Sequence, residues 1–327
     1  MYLFLAFQLS SRIHEDALAH YRVRKDSRSY PACLSYAGFV YGLNLSFGQL
    51  KGYRVRGMTR DTESPGAISC REKNPEVEIV QASLEDAESL YQAFRGASAT
   101  LTPTYYWIII AVSREAAGRI TLERIVFSAL PDPQNYPLAY HFASRASYLY
   151  IGVYLDSFFS KSYLTVGGRH LIGPQKQVDG SFLFRRVARP PYHALPMIYA
   201  KTDLDTLVEA LIGRAPPGTH LLDGQPLTRE EFAMKWGNAL GVRVKWEGTG
   251  VEEMVSEFPE SARSFVRTDS HSAAFVTEHE FDGGLGAKWP SELGVQSGEL
   301  IDVEQWVKEG VMLKNLAAIY FLCAEVL

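Results

Sequence analysis

"GYRVRGMTRD", residues 52–61, decides how the rest of the chain is read. Tyr53, Val55 and Met58 are apolar with Arg54 and Arg56 between them, and the run ends on Thr59-Arg60-Asp61, so it reads as a strand entering a loop. In an open parallel sheet the corner after the second strand can meet the ribose of a bound nucleotide. An acid there accepts from the 2′-hydroxyl and repels a 2′-phosphate, whereas an arginine donates to the phosphate. Arg60 therefore points to NADP in preference to NAD, and Thr59 beside it is a further candidate cofactor contact. The competing reading of Arg60 is a surface arginine in an ordinary strand-to-helix loop.

Such a corner needs a glycine-rich turn about twenty residues earlier, where the backbone approaches a pyrophosphate. The glycine-bearing stretch at that distance is "SYAGFVYGLNLSFGQLKG", with Gly38, Gly42 and Gly48. Ser35 stands where a first glycine is expected, and Tyr41 places a bulky side chain where phosphates would approach. Ser35, Gly38 and Gly42 are the candidate phosphate-binding residues.

Downstream, β-branched segments alternate with helical ones, the signature of a parallel sheet. "VEIVQA" at 77–82 predicts a strand. "SLEDAESLYQAFRG" then predicts a helix capped by Ser83 and ended by Gly96, with Leu90, Tyr91 and Phe94 on one face. "RIVFSAL" at 124–130 predicts a buried strand. Beyond residue 147 the texture changes to aromatic and hairpin-like, with Gly167-Gly168 and Asp179-Gly180 as turns. Asp203 is expected to cap a helix that stops at Gly213, and "THLLD" to form a strand. Thr228 to Glu231 forms a capping box for a helix ended by Gly241.

The 327 residues, 46% hydrophobic, suffice for a large α/β domain or two lobes. A net charge of -4 gives no general attraction to nucleic acid or an anionic membrane. The three cysteines, Cys33, Cys70 and Cys323, are scattered and suggest neither a disulfide framework nor a metal site, which fits a reducing compartment. "MYLFLAFQLS" has no positive charge before its apolar run and is not read as a signal peptide. The expectation is a soluble, cytoplasmic protein, the nucleus being also open.

"GYRVRGMTRD", "VEIVQASLEDAESLYQAFRGASA", "RIVFSALPD", "YHFASRA", "MIYAKTDLDTLVEALI", "LTREEFAMKWGNALGVRV" and "WPSELGV" occur in that order across residues 52–295. In this series the chain resembles the NmrA-like family of atypical short-chain dehydrogenases. The resemblance implies a doubly wound Rossmann-like α/β domain over residues 1–147 that binds NADP, and a smaller α+β lobe over 148–327. It implies one of two functions. The first is reduction of a small organic carbonyl or enone substrate, frequently in fungal secondary metabolism. The second is non-catalytic NADP sensing by a protein that regulates a transcription factor or other partner.

The chain departs from the family pattern in several places. Residues 1–50 and 313–327 match nothing in it. Ser83 replaces an Asp placed to meet the adenine. The helix before "RIVFSAL" is short, and the stretch after "HFASRA" lacks a helix and part of a strand.

A Tyr-x-x-x-Lys pair on one helical turn would let the ammonium lower the phenol's pKa for proton transfer. Its literal match, Tyr21 with Lys25, lies in the unmatched N-terminal segment and reads as coincidence. In "YHFASR", Arg145 sits where the family pattern usually has Lys. An arginine can donate to a nicotinamide ribose but cannot shuttle a proton. Tyr140 and His141 are the candidate proton donors, with core packing as the competing reading. Ser128 ends a strand at the carboxyl edge where ligands of open α/β sheets bind. Tyr105, Tyr106, Trp107, Tyr154, Phe158 and Phe159 are candidate pocket walls. No residues have metal-ligand spacing.

Overall fold

The structure, a computed structural model, describes residues 2–6, 54–83, 86–103, 123–129, 146–158, 165–166 and 169–308. The chain divides into two compact units. The first comprises Met1–Ala129, Gln134–Leu149 and Asp205–Leu221, and the second Leu130–Pro133, Tyr150–Leu204 and Leu222–Leu327.

A seven-stranded sheet is built from β1 (Tyr2–Ala6), β2 (Arg54–Thr59), β3 (Glu78–Gln81), β4 (Ala97–Pro103), β5 (Arg124–Ala129), β6 (Ala146–Tyr150) and β13 (His220–Leu222), strands being numbered along the chain. Its spatial order is β3-β2-β1-β4-β5-β6-β13. The pairs β1/β2, β2/β3, β1/β4 and β4/β5 are parallel. The reversal at β1 is the switch point of a doubly wound sheet. This confirms the Rossmann-like fold class.

Arg54–Thr59, within the 52–61 stretch, forms β2 as expected, but β1 corrects the expectation for the N-terminus. The segment that matched no family element holds the central strand, at Tyr2–Ala6, with β2 on one side and β4 on the other. A central strand of a parallel sheet reads as a continuous apolar run with no alternation. "YLFLA" therefore carries no periodic signal of its own.

α1 (Pro65–Lys73) follows β2, capped by Ser64, whose Oγ accepts from Ala67 N at 3.4 Å, with Pro65 in the first turn. Only Ala67 of this helix is buried, so it lacks the apolar stripe that would reveal it in sequence. α2 (Ala87–Phe94) buries Leu90, Ala93 and Phe94. Its cap is Asp86, not Ser83: Asp86 Oδ1 accepts from Glu88 N at 3.0 Å and Ser89 N at 3.3 Å. Gly96, at φ +76°, follows the helix end as expected.

In the second unit, β8 (Thr165–Val166) pairs antiparallel with β9 (Arg169–His170), and the Gly167-Gly168 turn read between them lies outside the described residues. β10 (Gln175–Lys176) pairs antiparallel with β11 (Phe182–Val187) through a turn in which Gly180 sits at φ +80°. β11 runs parallel to β15 (Val244–Thr249). A further sheet has the order β14-β12-β7, from Gln225–Leu227, Leu195–Ile198 and Val153–Tyr154.

α3 (Ala200–Glu209) continues through a π-helical turn, Ala210–Arg214, instead of stopping at Gly213. Asp203 lies inside its first turn and is not its cap. α4 (Arg229–Leu240) has the expected capping box, with Thr228 Oγ1 accepting from Glu231 N at 3.1 Å and Glu231 Oε2 accepting from Thr228 N at 2.8 Å. Gly241 ends it at φ +67°. α5 (Val251–Ser256), α6 (Glu260–Glu278) and α7 (Val303–Lys308) complete the described helices.

The core of the second unit is aromatic: Phe158 stacks on Phe232 with centroids 4.0 Å apart, and Phe182 and Phe184 meet Trp236 edge-on at 5.2 and 5.3 Å. Phe158, a candidate pocket wall, is thus a core residue. Among the described residues no helix is long and apolar enough to cross a membrane.

Candidate nucleotide site and the buried charges

The corner after β2 is fixed by its own polar groups. Thr59, 1% exposed, donates from Oγ1 to Asp61 O at 3.1 Å, and Asp61 N lies 3.2 Å from that Oγ1. Ala82 N donates to Thr59 O at 2.9 Å and Gln81 Nε2 to Arg60 O at 2.9 Å, so the chain after β3 holds the corner from the neighbouring strand. Asp61 turns its Oδ1 to Glu63 N at 2.9 Å. One oxygen of its carboxylate thus serves the loop, and Arg60 carries an exposed positive charge at the carboxyl edge of the sheet.

Ser83 follows β3 at the same edge, and its N–H donates to Ser89 Oγ of α2 at 3.0 Å. Ser128 is 7% exposed and stands at the carboxyl end of β5, paired in register with Pro103 of β4. Thr59, Arg60, Ser83 and Ser128 thus share one edge of the sheet, on both sides of β1. Ser128 is three strands from Thr59, or about 14 Å at roughly 4.8 Å per strand.

Ser35, Gly38, Gly42, Tyr140, His141 and Arg145 lie outside the described residues, as do Tyr105, Tyr106, Trp107 and Phe159. β1 ends at Ala6, and the first glycine after it in sequence is Gly38. The residues that directly follow the central strand, Phe7-Gln8-Leu9-Ser10, therefore contain none. Among the described residues no group of His, Cys, Asp or Glu could hold a metal ion.

Two acids in the second unit are buried, which nothing local in the sequence announces. Asp203, 1% exposed, accepts from Ile301 N at 3.0 Å, Thr202 Oγ1 at 2.9 Å and Tyr199 N at 3.2 Å. Burial nonetheless pushes its carboxyl up to about 6, those hydrogen bonds pulling the other way. Asp223 is fully buried, accepts from Gly152 N at 2.9 Å through Oδ1, and has no partner at Oδ2. Burial raises it well above the carboxylate range, the Gly152 N–H opposes the rise and the Asp203 charge adds to it.

A carboxyl raised in the folded state contributes stability that is complete below its unfolded value and is lost as pH rises through its folded value. The shift of Asp203 from 3.8 to about 6 corresponds to about 3 kcal/mol lost between about pH 4 and pH 7. Asp223→Asn keeps the Oδ1 acceptor and removes the charge. We expect this variant to be more stable than the parent at pH 7 and less dependent on pH. Urea unfolding from pH 4.5 to 7.5 measures both, and parallel curves for parent and variant would refute the assignment.

β11 places charges on both of its faces. Arg185 bridges Glu247 at 3.1 Å and also pairs with Glu253 and Glu257. Arg186 continues the core-facing row Phe182, Phe184 and forms a two-pronged pair with Asp269 of α6, with Nη2 to Oδ1 at 2.9 Å and Nη1 to Oδ2. Their side chains are 9% and 6% exposed.

The strand order and the polar corner at its carboxyl edge define a Rossmann-type α/β fold of the doubly wound class. Among solved structures the chain is similar to NmrA, a negative transcriptional regulator in complex with NAD, at TM-score 0.59 and 17% identity, covering 82% of this chain and 90% of that one. It is also similar to Citrobacter sp. triphenylmethane reductase complexed with NADP(H), at TM-score 0.54 and 15% identity over 95% and 100% of the two chains. Isoflavone reductase matches at TM-score 0.54 and 11% identity over 80% and 92%. No protein-family model and no curated protein sequence matches the chain.

Proposed function

We propose that the chain binds NADP(H) along the carboxyl edge of the seven-stranded sheet and reduces a small, partly apolar carbonyl or enone substrate. The observation that carries this reading is the β2 corner. Arg60 is an exposed positive charge at that corner, and the adjacent acid, Asp61, bonds the loop backbone through Oδ1. An arginine fork there suits a 2′-phosphate. The likeness of fold to proteins solved with NADP and NADP(H) supports it.

In this reading Arg60 and Thr59 hold the adenosine end and Ser83 lies beside the adenine. Ser128 stands toward the nicotinamide. NADPH held there would supply the hydride for the substrate carbon. Tyr140 or His141 supplies the proton to the substrate oxygen, and Arg145 donates to the nicotinamide ribose.

A second reading rests on Arg145 itself. A guanidinium cannot relay a proton, so its presence where a lysine is expected favours an NADP sensor that regulates a partner protein. The likeness of fold to NmrA supports this alternative.

Melting curves of the purified protein with NADPH, NADP and NADH test the shared premise. Ligand at about a hundred times its dissociation constant stabilises the fold by about 2.7 kcal/mol. A rise with the phosphorylated dinucleotides that exceeds the rise with NADH is expected. No shift with any of them removes both readings, and turnover on a panel of carbonyl and enone substrates then separates reductase from sensor.

A further inference from the structure

β11 and α4 pack so that two rows face one another. Along β11, Phe182, Phe184 and Arg186 lie on the core-facing side; along α4, Trp236, Phe232 and Arg229 share a face at helical spacing. Trp236 meets Phe182 and Phe184, and Phe232 meets Phe184. The row ends with Arg186 on the strand and Arg229 at the start of the helix.

Two guanidinium groups and one carboxylate therefore lie within electrostatic reach of one another. Both Asp269 oxygens are taken by the Nη groups of Arg186. The Nε of Arg186, whose side chain is 9% exposed, is buried with no partner. Arg229 makes no hydrogen bond or ion pair among the described residues. It also stands in the first turn of α4, where the helix dipole opposes a cation. The nearby acids do not offset it: Glu231 folds back on Thr228, and Glu230 is exposed. Burial first, and the Arg186 charge second, lower the Arg229 guanidinium to about 9, Asp269 opposing them. Arg229 is half-buried, and a charge held partly out of water with no counter-ion of its own costs a fold stability.

We propose that Arg186 and Arg229 form an anion-binding site in the second unit that takes a single carboxylate or phosphate group. One anion balances the excess charge. The unused Nε of Arg186 and the open fork of Arg229 supply charge-assisted donors of the kind that recognise such groups. The amino end of α4 adds its dipole. This site is independent of the nucleotide reading, since none of its residues belongs to the β2 corner.

The test is the melting temperature of the full chain in sodium phosphate, sodium acetate and sodium chloride at matched ionic strength, for the parent and for Arg229→Gln. Phosphate stabilises many proteins by exclusion from their surfaces, so the difference between the two proteins decides. The expected result is a rise of about 3 °C in the parent, beyond that in chloride, which is lost in Arg229→Gln. Whether phosphate or acetate gives the larger rise identifies the preferred anion. No rise in the parent, or the same rise in both proteins, overturns the proposal. If Arg229→Gln does not fold, Arg229→Lys takes its place. It keeps the charge and loses the planar fork, so an undiminished shift in that variant overturns the proposal as well.

Discussion

Asp269→Ala should cost the protein about 3 to 5 kcal/mol, the largest loss expected from any single substitution considered for the second unit. The carboxylate accepts from both Nη groups of Arg186 at a position where both side chains are buried. Removing it leaves two guanidinium groups, Arg186 and Arg229, with no counter-charge. Arg186→Met should cost less, because the charge of Arg229 lies within electrostatic reach of Asp269 and still offsets part of it. Adding Arg229→Met to Asp269→Ala should return part of the loss, since one of the two stranded charges is gone. Urea unfolding of the single and double variants gives the coupling directly. A loss under 1 kcal/mol for Asp269→Ala, or no recovery in the double variant, would show that the second arginine is not electrically coupled to the pair.

Arg60→Glu should reverse the dinucleotide preference. A hydrogen bond to a charged group contributes about 1.5 to 3 kcal/mol, and the glutamate adds repulsion toward a 2′-phosphate. The ratio of NADPH to NADH affinity should therefore fall by about 10- to 100-fold, with NADH binding little changed or improved. Calorimetric titration with both dinucleotides measures the ratio. The local frame should survive, because the corner is held by Thr59, Asp61 and Gln81 through contacts that do not use the Arg60 side chain. An unchanged ratio sinks the role given to Arg60 even if both dinucleotides bind.

Both expectations bear on how the molecule divides its charge. In the first unit Arg60 is exposed at a sheet edge, where a charge is inexpensive and can meet a ligand. In the second unit Arg186, Asp203, Asp223 and Asp269 are buried, where each ionised group depends on its few neighbours. The pH dependence expected from Asp203 and Asp223 follows from that burial and does not involve any ligand.

The sequence by itself determined the elements whose signals are local. β2 with its Thr59-Arg60 corner, β3, β5, the Thr228 capping box and the turn at Gly180 all depend on a few adjacent residues, and each formed as read. Ser83 and Asp203 were misplaced as caps because several polar residues near a helix start can each serve, and packing selects among them. What only the tertiary structure decided depends on residues far apart in the chain. "YLFLA" becomes the central strand because β2 and β4 flank it, and a short apolar run does not state which sheet position it will take. Arg186 and Arg229 come within electrostatic reach because a strand and a helix pack together, and Asp269 pairs with Arg186 from 83 positions further along the chain. The charge of each of these residues is written in the sequence. Whether it meets water or another buried charge is fixed when the chain folds.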